Sequence, residues 1–161
     1  MKKKVYKAFN EQIQAELYSA YMYLAMSVDM DAKNFKGMAH WLRAQYEEER
    51  GHAFKLMQFM QDCGEKPELL AVEAPAADYG TPLELFKKVL EHEKYVTSRI
   101  YAMYEVAVEE KDYAAQSHLK WFIDEQVEEE ASASEIVEKL KMVGDHVGGL
   151  FIIDGQLAAR K

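Results

Sequence analysis

The sequence predicts an all-α protein: four long helices packed as a bundle, one long crossover between the second and third, and a short fifth helix at the end. Three observations carry this expectation. Among 161 residues, 49% hydrophobic and 30% charged, there are only 8 Gly and 3 Pro, too few turn-formers for a β-rich chain and too much apolar content for a disordered one. Pro67, Pro75 and Pro82 all fall in one window that also holds Gly64 and Gly80, so the helix breakers are concentrated rather than spread. On both sides of that window apolar residues recur at helical spacing.

Phe9, Ile13, Ala20, Tyr23, Leu24 and Ser27 share one face of a first helix, and Met38, Leu42, Ala53, Leu56 and Met60 share one face of a second, with a break near Asp31 to Lys36. Within that window the stretch from Cys63 to Thr81 is a long loop, with Pro82 just beyond it. Thr81-Pro82-Leu83-Glu84 then reads as an N-cap with Pro at the first helical position, and Val89, Val96, Ile100, Met103 and Ala107 line the helix behind it. After an interruption at Lys111-Asp112, a fourth stripe of Leu119, Phe122, Ala133, Val137 and Leu140 ends before Gly144. Each helix is about 40 Å long at about 1.5 Å per residue, so the short connections must reverse the chain. The long one, at up to about 3.3 Å per residue, can run the length of the bundle. Residues 146 to 160 carry Leu150, Phe151, Ile152 and Leu157 and form a further short helix, with Gly148, Gly149 and Gly155 weakening it.

The length fits a single domain with a core that needs no disulfide or structural metal. A formal net charge of -8 argues against nucleic acid or an anionic membrane as partner and in favour of cations. Cys63 is the only cysteine and cannot form an intramolecular disulfide. No apolar run follows the basic Met1-Lys2-Lys3-Lys4 start, and none approaches the roughly 20 residues that span a bilayer. A cytoplasmic protein is expected.

Against this apolar pattern, Glu16 falls among Phe9, Ile13, Ala20 and Tyr23; Glu49 and His52 fall on the inner face of the second helix; Glu93 on that of the third; and Gln126 and Glu129 on that of the fourth. The positions repeat: Glu16 precedes Glu49 by 33 residues and Glu93 precedes Gln126 by 33. A lone buried carboxylate costs several kcal/mol or takes up a proton, and several together repel. Two divalent cations supply the missing positive charge, and an i, i+3 Glu-x-x-His pair sets a carboxylate and an imidazole on one helical face. The plain alternative for any one of these glutamates is a head group that escapes to solvent, but agreement of all six positions with the repeat favours a dinuclear metal site.

One Glu from each of two helices, with Glu-x-x-His-type pairs from the other two, resembles the ferritin-like di-iron carboxylate family. The likeness extends through "YEEERGH" (Tyr46 to His52), "LEHEKYVTSRI" (Leu90 to Ile100), "DEQVEEE" (Asp124 to Glu130) and "GGLFIIDGQL" near the end, and it is to the bacterial non-haem ferritins. The resemblance implies that Glu16, Glu49 and His52 hold a first iron and that Glu49, Glu93 and Glu129 hold a second with Gln126 beside them. Glu49 would bridge. It also implies catalytic roles for Glu49 and His52, and for Tyr23, two turns after Glu16, a hydrogen bond to a ligand or an electron donated during oxygen reduction; a packed core tyrosine is the plainer reading. Glu48, Glu125 and Glu128, with the shared Glu129, match a third iron site, against which stands a solvated acidic stripe. Bacterioferritins carry Glu-x-x-His in both halves and a haem-ligating Met beside the bridging Glu, where this chain has Arg50, so no haem is expected.

The resemblance further implies Fe²⁺ oxidation by O₂ or H₂O₂, storage of ferric mineral, a 24-subunit cage, and packing of the fifth helix near its four-fold axis. Spacing alone also fits a non-storage di-iron peroxidase or oxidase. A metal-free helical interaction module would leave the buried carboxylates unexplained. Trp121 is expected to be packing, the methionines core filler, and His40, His92, His118 and His146 surface or capping groups.

Overall fold

The computed structural model describes residues 1–161 and contains five helices: α1 (Lys3–Ala32), α2 (Lys36–Asp62), α3 (Pro82–Glu109), α4 (Tyr113–Val143) and α5 (Val147–Leu157). α1 with α2 and α3 with α4 form two antiparallel hairpins, and α5 rests against α2 and α4. This is the four-helix bundle with one long crossover and a short fifth helix that the pattern predicts. No helix is long and apolar enough to cross a membrane.

The helix boundaries follow local chemistry. Thr81 caps α3 in a full capping box with Glu84, Asp112 accepts from the Ala115 amide at the start of α4, and His146 Nδ1 accepts from the Gly149 amide at the start of α5. The first reversal passes through Asn34 at φ 66° and the second through Lys111 at φ 55°. Asn tolerates the left-handed region; Lys carries the ordinary steric cost of it. Gly144 ends α4 at φ 52°, which its missing Cβ permits.

The crossover is fastened to α1 by side chains one turn apart. Tyr6 Oη donates to the Lys66 carbonyl at 2.9 Å, Asn10 Oδ1 accepts from the Glu68 amide at 2.9 Å, and Gln14 Nε2 donates to the Ala71 carbonyl. At the far end Asp29 accepts from the Tyr79 amide at 3.0 Å and from Lys33 Nζ at 2.8 Å, while Lys33 also reaches Asp78 and the Gly80 carbonyl.

Every residue assigned to the inner stripes is buried except Leu24, which is half-buried. It lies about 100° round the helix from Tyr23, and Met26 and Met30 take the core positions beyond that tyrosine. The core is in two pieces. One cluster runs from Met22 through Met38, Leu42, Phe86 and Val137 to Ile153; the other from Val5 through Phe9, Leu56, Ile100 and Leu119 to Phe122. Between them, on all four long helices, lies a polar layer.

α5 docks where Gly37 removes the obstacle. A Cβ built there would lie 1.7 Å from the Asp154 carbonyl oxygen, and the close approach lets Asp154 Oδ1 accept from the Met38 amide at 2.8 Å. That amide is one of the otherwise unpaired donors of the α2 N-terminus, which has no side-chain cap of its own. Gly37→Ala should therefore lift α5 from the bundle at a cost of roughly 1–3 kcal/mol. Amide exchange should accelerate across residues 147–157 while α1 to α4 keep their protection; unchanged exchange in that stretch would contradict the account.

Candidate metal centre

The polar layer is made by the six positions of the repeat. Glu16, Glu49 and Glu93 are each 1% exposed, Gln126 3%, His52 5% and Glu129 6%, so none of the carboxylates escapes to water. The hairpins bring them together: α1 supplies Glu16, α2 Glu49 and His52, α3 Glu93, α4 Gln126 and Glu129. His52 Nδ1 stands 3.3 Å from Glu49 Oε2 and 3.9 Å from Glu16 Oε2. Both of those oxygens are buried with no hydrogen-bond partner, an expensive state for a carboxylate. One donor atom from each of Glu16, Glu49 and His52 falls within 4.8 Å of the others, close enough to hold one metal ion.

The remaining oxygens are framed by neutral donors. Gln12 Nε2 donates to Glu16 Oε1 at 2.8 Å, Gln45 Nε2 to Glu129 Oε2 at 2.9 Å, and Gln126 Nε2 to Glu93 Oε2 at 3.2 Å. Tyr23 Oη donates to Glu93 Oε1. Arg99 Nε in turn donates to Gln12 Oε1 at 3.2 Å, fixing which way that amide points. Gln126 therefore presents its nitrogen to Glu93 and Thr97, and acts here as an orienting donor beside the carboxylates. Trp121 packs edge-on against the His52 ring, centroids 5.4 Å apart, with Lys55 Nζ over its outer face.

Crowding sets the protonation. Burial, then the Glu16 and Glu93 charges, push the Glu49 carboxyl well above the usual carboxylate range. Burial raises Glu93 to about 7 against the pull of the Tyr23 and Gln126 hydrogen bonds. Burial and the Glu93 charge raise Glu129 to about 7 against the pull of Gln45. Burial and the Glu93 and Glu49 charges hold the Tyr23 phenol well above its ordinary value, so it remains a donor.

The second acidic set lies just outside. Glu48, Glu125 and Glu128 surround one pocket with Glu129, Gln45, Trp41, Ser132 and Arg160; Glu125 also comes within 3.9 Å of His52 Nε2. The histidine expectation needs correction. His40 is exposed and His146 caps α5, but His92 is half-buried against Ser19 at 2.7 Å, and His118, also half-buried, stacks on Phe59 with centroids 4.2 Å apart. Burial lowers both, His92 to about 4, so aromatic packing holds them neutral.

Sequence reasoning missed Gln12, Gln45, Thr97 and Arg160. The first two were within reach of the repeat: they precede Glu16 and Glu49 by one turn and are themselves 33 residues apart. Arg160 had no such signal, because only the docking of α5 brings it to α2.

A bundle whose buried layer is rich in carboxylates and short of partners defines a class, the carboxylate-lined metal-binding helical bundles. Comparison with known proteins narrows it. Residues 6–143 match the Ferritin-like domain, and this chain belongs to the ferritin family. It is 42% identical over 157 residues to a bacterial non-heme ferritin of Bacteroides fragilis, covering 98% of both chains. It is 38% identical over 160 residues to that of Staphylococcus aureus, covering 99% of this chain and 96% of the other. Among solved structures, an open-pore ferritin from the archaeon Archaeoglobus fulgidus superposes with a TM-score of 0.99 at 43% identity, covering 100% of this chain and 99% of that one. A closed form of the A. fulgidus protein engineered by site-directed mutagenesis gives 0.98 at 43% identity, with 100% and 98% covered.

The raised carboxyls make metal-free stability depend on pH. A group at about 7 in the fold and about 4.5 in the open chain binds its proton more tightly when folded. Its stabilising contribution is full below about 4.5 and is lost as the pH rises to 7. Thermal melts of chelator-treated protein should therefore fall across that interval, and Glu93→Gln with Glu129→Gln should flatten the fall. A double variant as steep as the parent would refute this assignment.

Proposed function

We propose that this chain stores iron, oxidising Fe²⁺ at a dinuclear centre in the polar layer and depositing the ferric product as mineral inside a protein shell. One observation carries the reading: the Glu16 and Glu49 oxygens beside His52 are buried, carboxylate and unpartnered. No protein group neutralises them, whereas a divalent cation would. Glu16, Glu49 and His52 hold one Fe²⁺; Glu49, Glu93 and Glu129 hold the other, with Glu49 shared. The two positions differ because only the first has an imidazole, and because Gln126 stands by Glu93 as a hydrogen-bond donor.

The oxidation balances on two irons. Two Fe²⁺ become two Fe³⁺, and the two electrons with two protons reduce O₂ to H₂O₂, or reduce H₂O₂ to two waters. A dinuclear site delivers both electrons in one encounter with the oxidant, which is the chemical reason for pairing the ions. Tyr23, held on Glu93, orients that ligand and stands in position to supply a further electron. Fe³⁺, the harder ion, is favoured over Fe²⁺ by a carboxylate-rich ligand set, so the site pulls the reaction toward the ferric state. The acidic pocket of Glu48, Glu125, Glu128 and Glu129 takes a third iron. The 24-subunit cage is part of the same reading, supported by near-complete superposition on a ferritin structure, and a cytoplasmic setting goes with it.

Glu49→Ala should abolish rapid Fe²⁺ oxidation in stopped-flow absorbance while leaving a folded protein, because loss of one crowded carboxylate relieves repulsion in the metal-free state; His52→Ala should abolish it by removing the imidazole ligand. Parental rates in both variants would remove the centre from consideration. Glu48→Ala with Glu128→Ala should keep the first fast oxidation but lower the number of Fe²⁺ ions bound per subunit, read by anaerobic titration. Light scattering on the purified protein distinguishes a cage from a small oligomer.

A further inference from the structure

The acidic pocket beside the centre already contains a positive charge. Arg160, beyond the end of α5, lays its guanidinium between α2 and α4. Nη2 donates to Glu48 Oε2 at 2.5 Å, Nη1 donates to the Trp41 carbonyl at 3.3 Å, and Cζ lies 4.6 Å from the Trp41 ring centroid. His40 Nε2 holds the Arg160 carbonyl oxygen at 2.6 Å, so backbone and side chain are both fixed. The Arg160 side chain is 22% exposed against 46% for Glu48, and it lines the pocket together with Glu125, Glu128 and Glu129. Beneath it Gln45, 1% exposed, leaves Oε1 without a hydrogen-bond partner, an open acceptor next to the carboxylates.

We propose that Arg160 is a built-in competitor for the cation that this pocket takes: a divalent ion entering among Glu48, Glu125, Glu128 and Glu129 expels the guanidinium from Glu48 and releases the segment after α5. The inference rests on the reading of this pocket as a third cation site. A guanidinium stays charged at any pH at which the protein is folded, so it cannot step aside by losing a proton. It can only be displaced. A dication brings twice the charge to the same carboxylates and repels Arg160 at short range, whereas the ion pair it replaces is partly exposed and of the kind that contributes little. The competition makes the pocket weaker for metal than the buried centre, which has no rival cation, and couples its occupancy to the order of the C-terminal segment.

Anaerobic calorimetric titration of Fe²⁺ into the assembled protein tests this in four forms: parent, Arg160→Gln, Arg160→Lys, and Glu48→Gln with Glu128→Gln. The weakest binding phase should tighten about fivefold in Arg160→Gln, stay near the parental value in Arg160→Lys, and vanish in the double variant, with the two tighter events unchanged. Amide exchange over residues 157–161 supplies a readout independent of affinity: protection in the metal-free parent should fall once the third equivalent is bound. A third phase of equal affinity in parent and Arg160→Gln, or protection that metal leaves intact, overturns the competitor role while the pocket remains a cation site. Absence of any third phase in every form, Arg160→Gln included, removes the pocket and the competition together.

Discussion

The structure depends on a layer of buried carboxylates that no protein group neutralises. Glu16, Glu49, Glu93 and Glu129 lie between two apolar clusters that would otherwise merge into one core. Repulsion within the layer works against the packing above and below it, so the fold must be held by what flanks it: Phe9, Leu56 and Phe122 on one side, Tyr23, Leu42 and Phe86 on the other. The division of the core follows from chemistry placed at one level of all four helices. A helical bundle suits this arrangement because its backbone hydrogen bonds are complete within each helix and make no demand on the layer.

The neutral donors around the layer explain how charge is tolerated without being cancelled. Gln12, Gln45 and Gln126 each direct an amide nitrogen at a carboxylate oxygen, and Tyr23 directs its hydroxyl. A lysine or arginine at those positions would neutralise the site; an amide orients it and leaves it wanting a cation. Arg99 is kept one residue removed, bonded to Gln12 rather than to Glu16. The carboxylates are thereby set in direction before any ion arrives, which lowers the reorganisation needed on binding.

Most of the bundle was legible because its signals are local and periodic: the proline window, the Thr81 capping box and the apolar stripes each depend on residues a few positions apart. The candidate ligands were legible for a rarer reason, since a spacing of 33 residues that recurs in both hairpins places equivalent side chains at one level. What escaped needed tertiary knowledge. That His92 is half-buried against Ser19 depends on α1 meeting α3, and Arg160 reaches Glu48 across 112 positions of sequence. The polar residues of α1 at Asn10, Gln14 and Asp29 carried no hint that they hold the crossover, because a polar residue on a helix reads as solvated until its partner is known.

The fastening of that crossover has an evolutionary corollary. Tyr6, Asn10, Gln14 and Asp29 all grip backbone carbonyls or amides of the segment, never its side chains. Over residues 66–71 the strap is therefore held by its path and not by its side chains, whereas Asp78 and the buried Tyr79 anchor its far end through theirs. Leu69 and Leu70, both exposed, and their neighbours can be exchanged without loosening the attachment, which leaves the outer surface of this segment open to drift, to new contacts between molecules, or to a grafted peptide, while the helices beneath it keep their register.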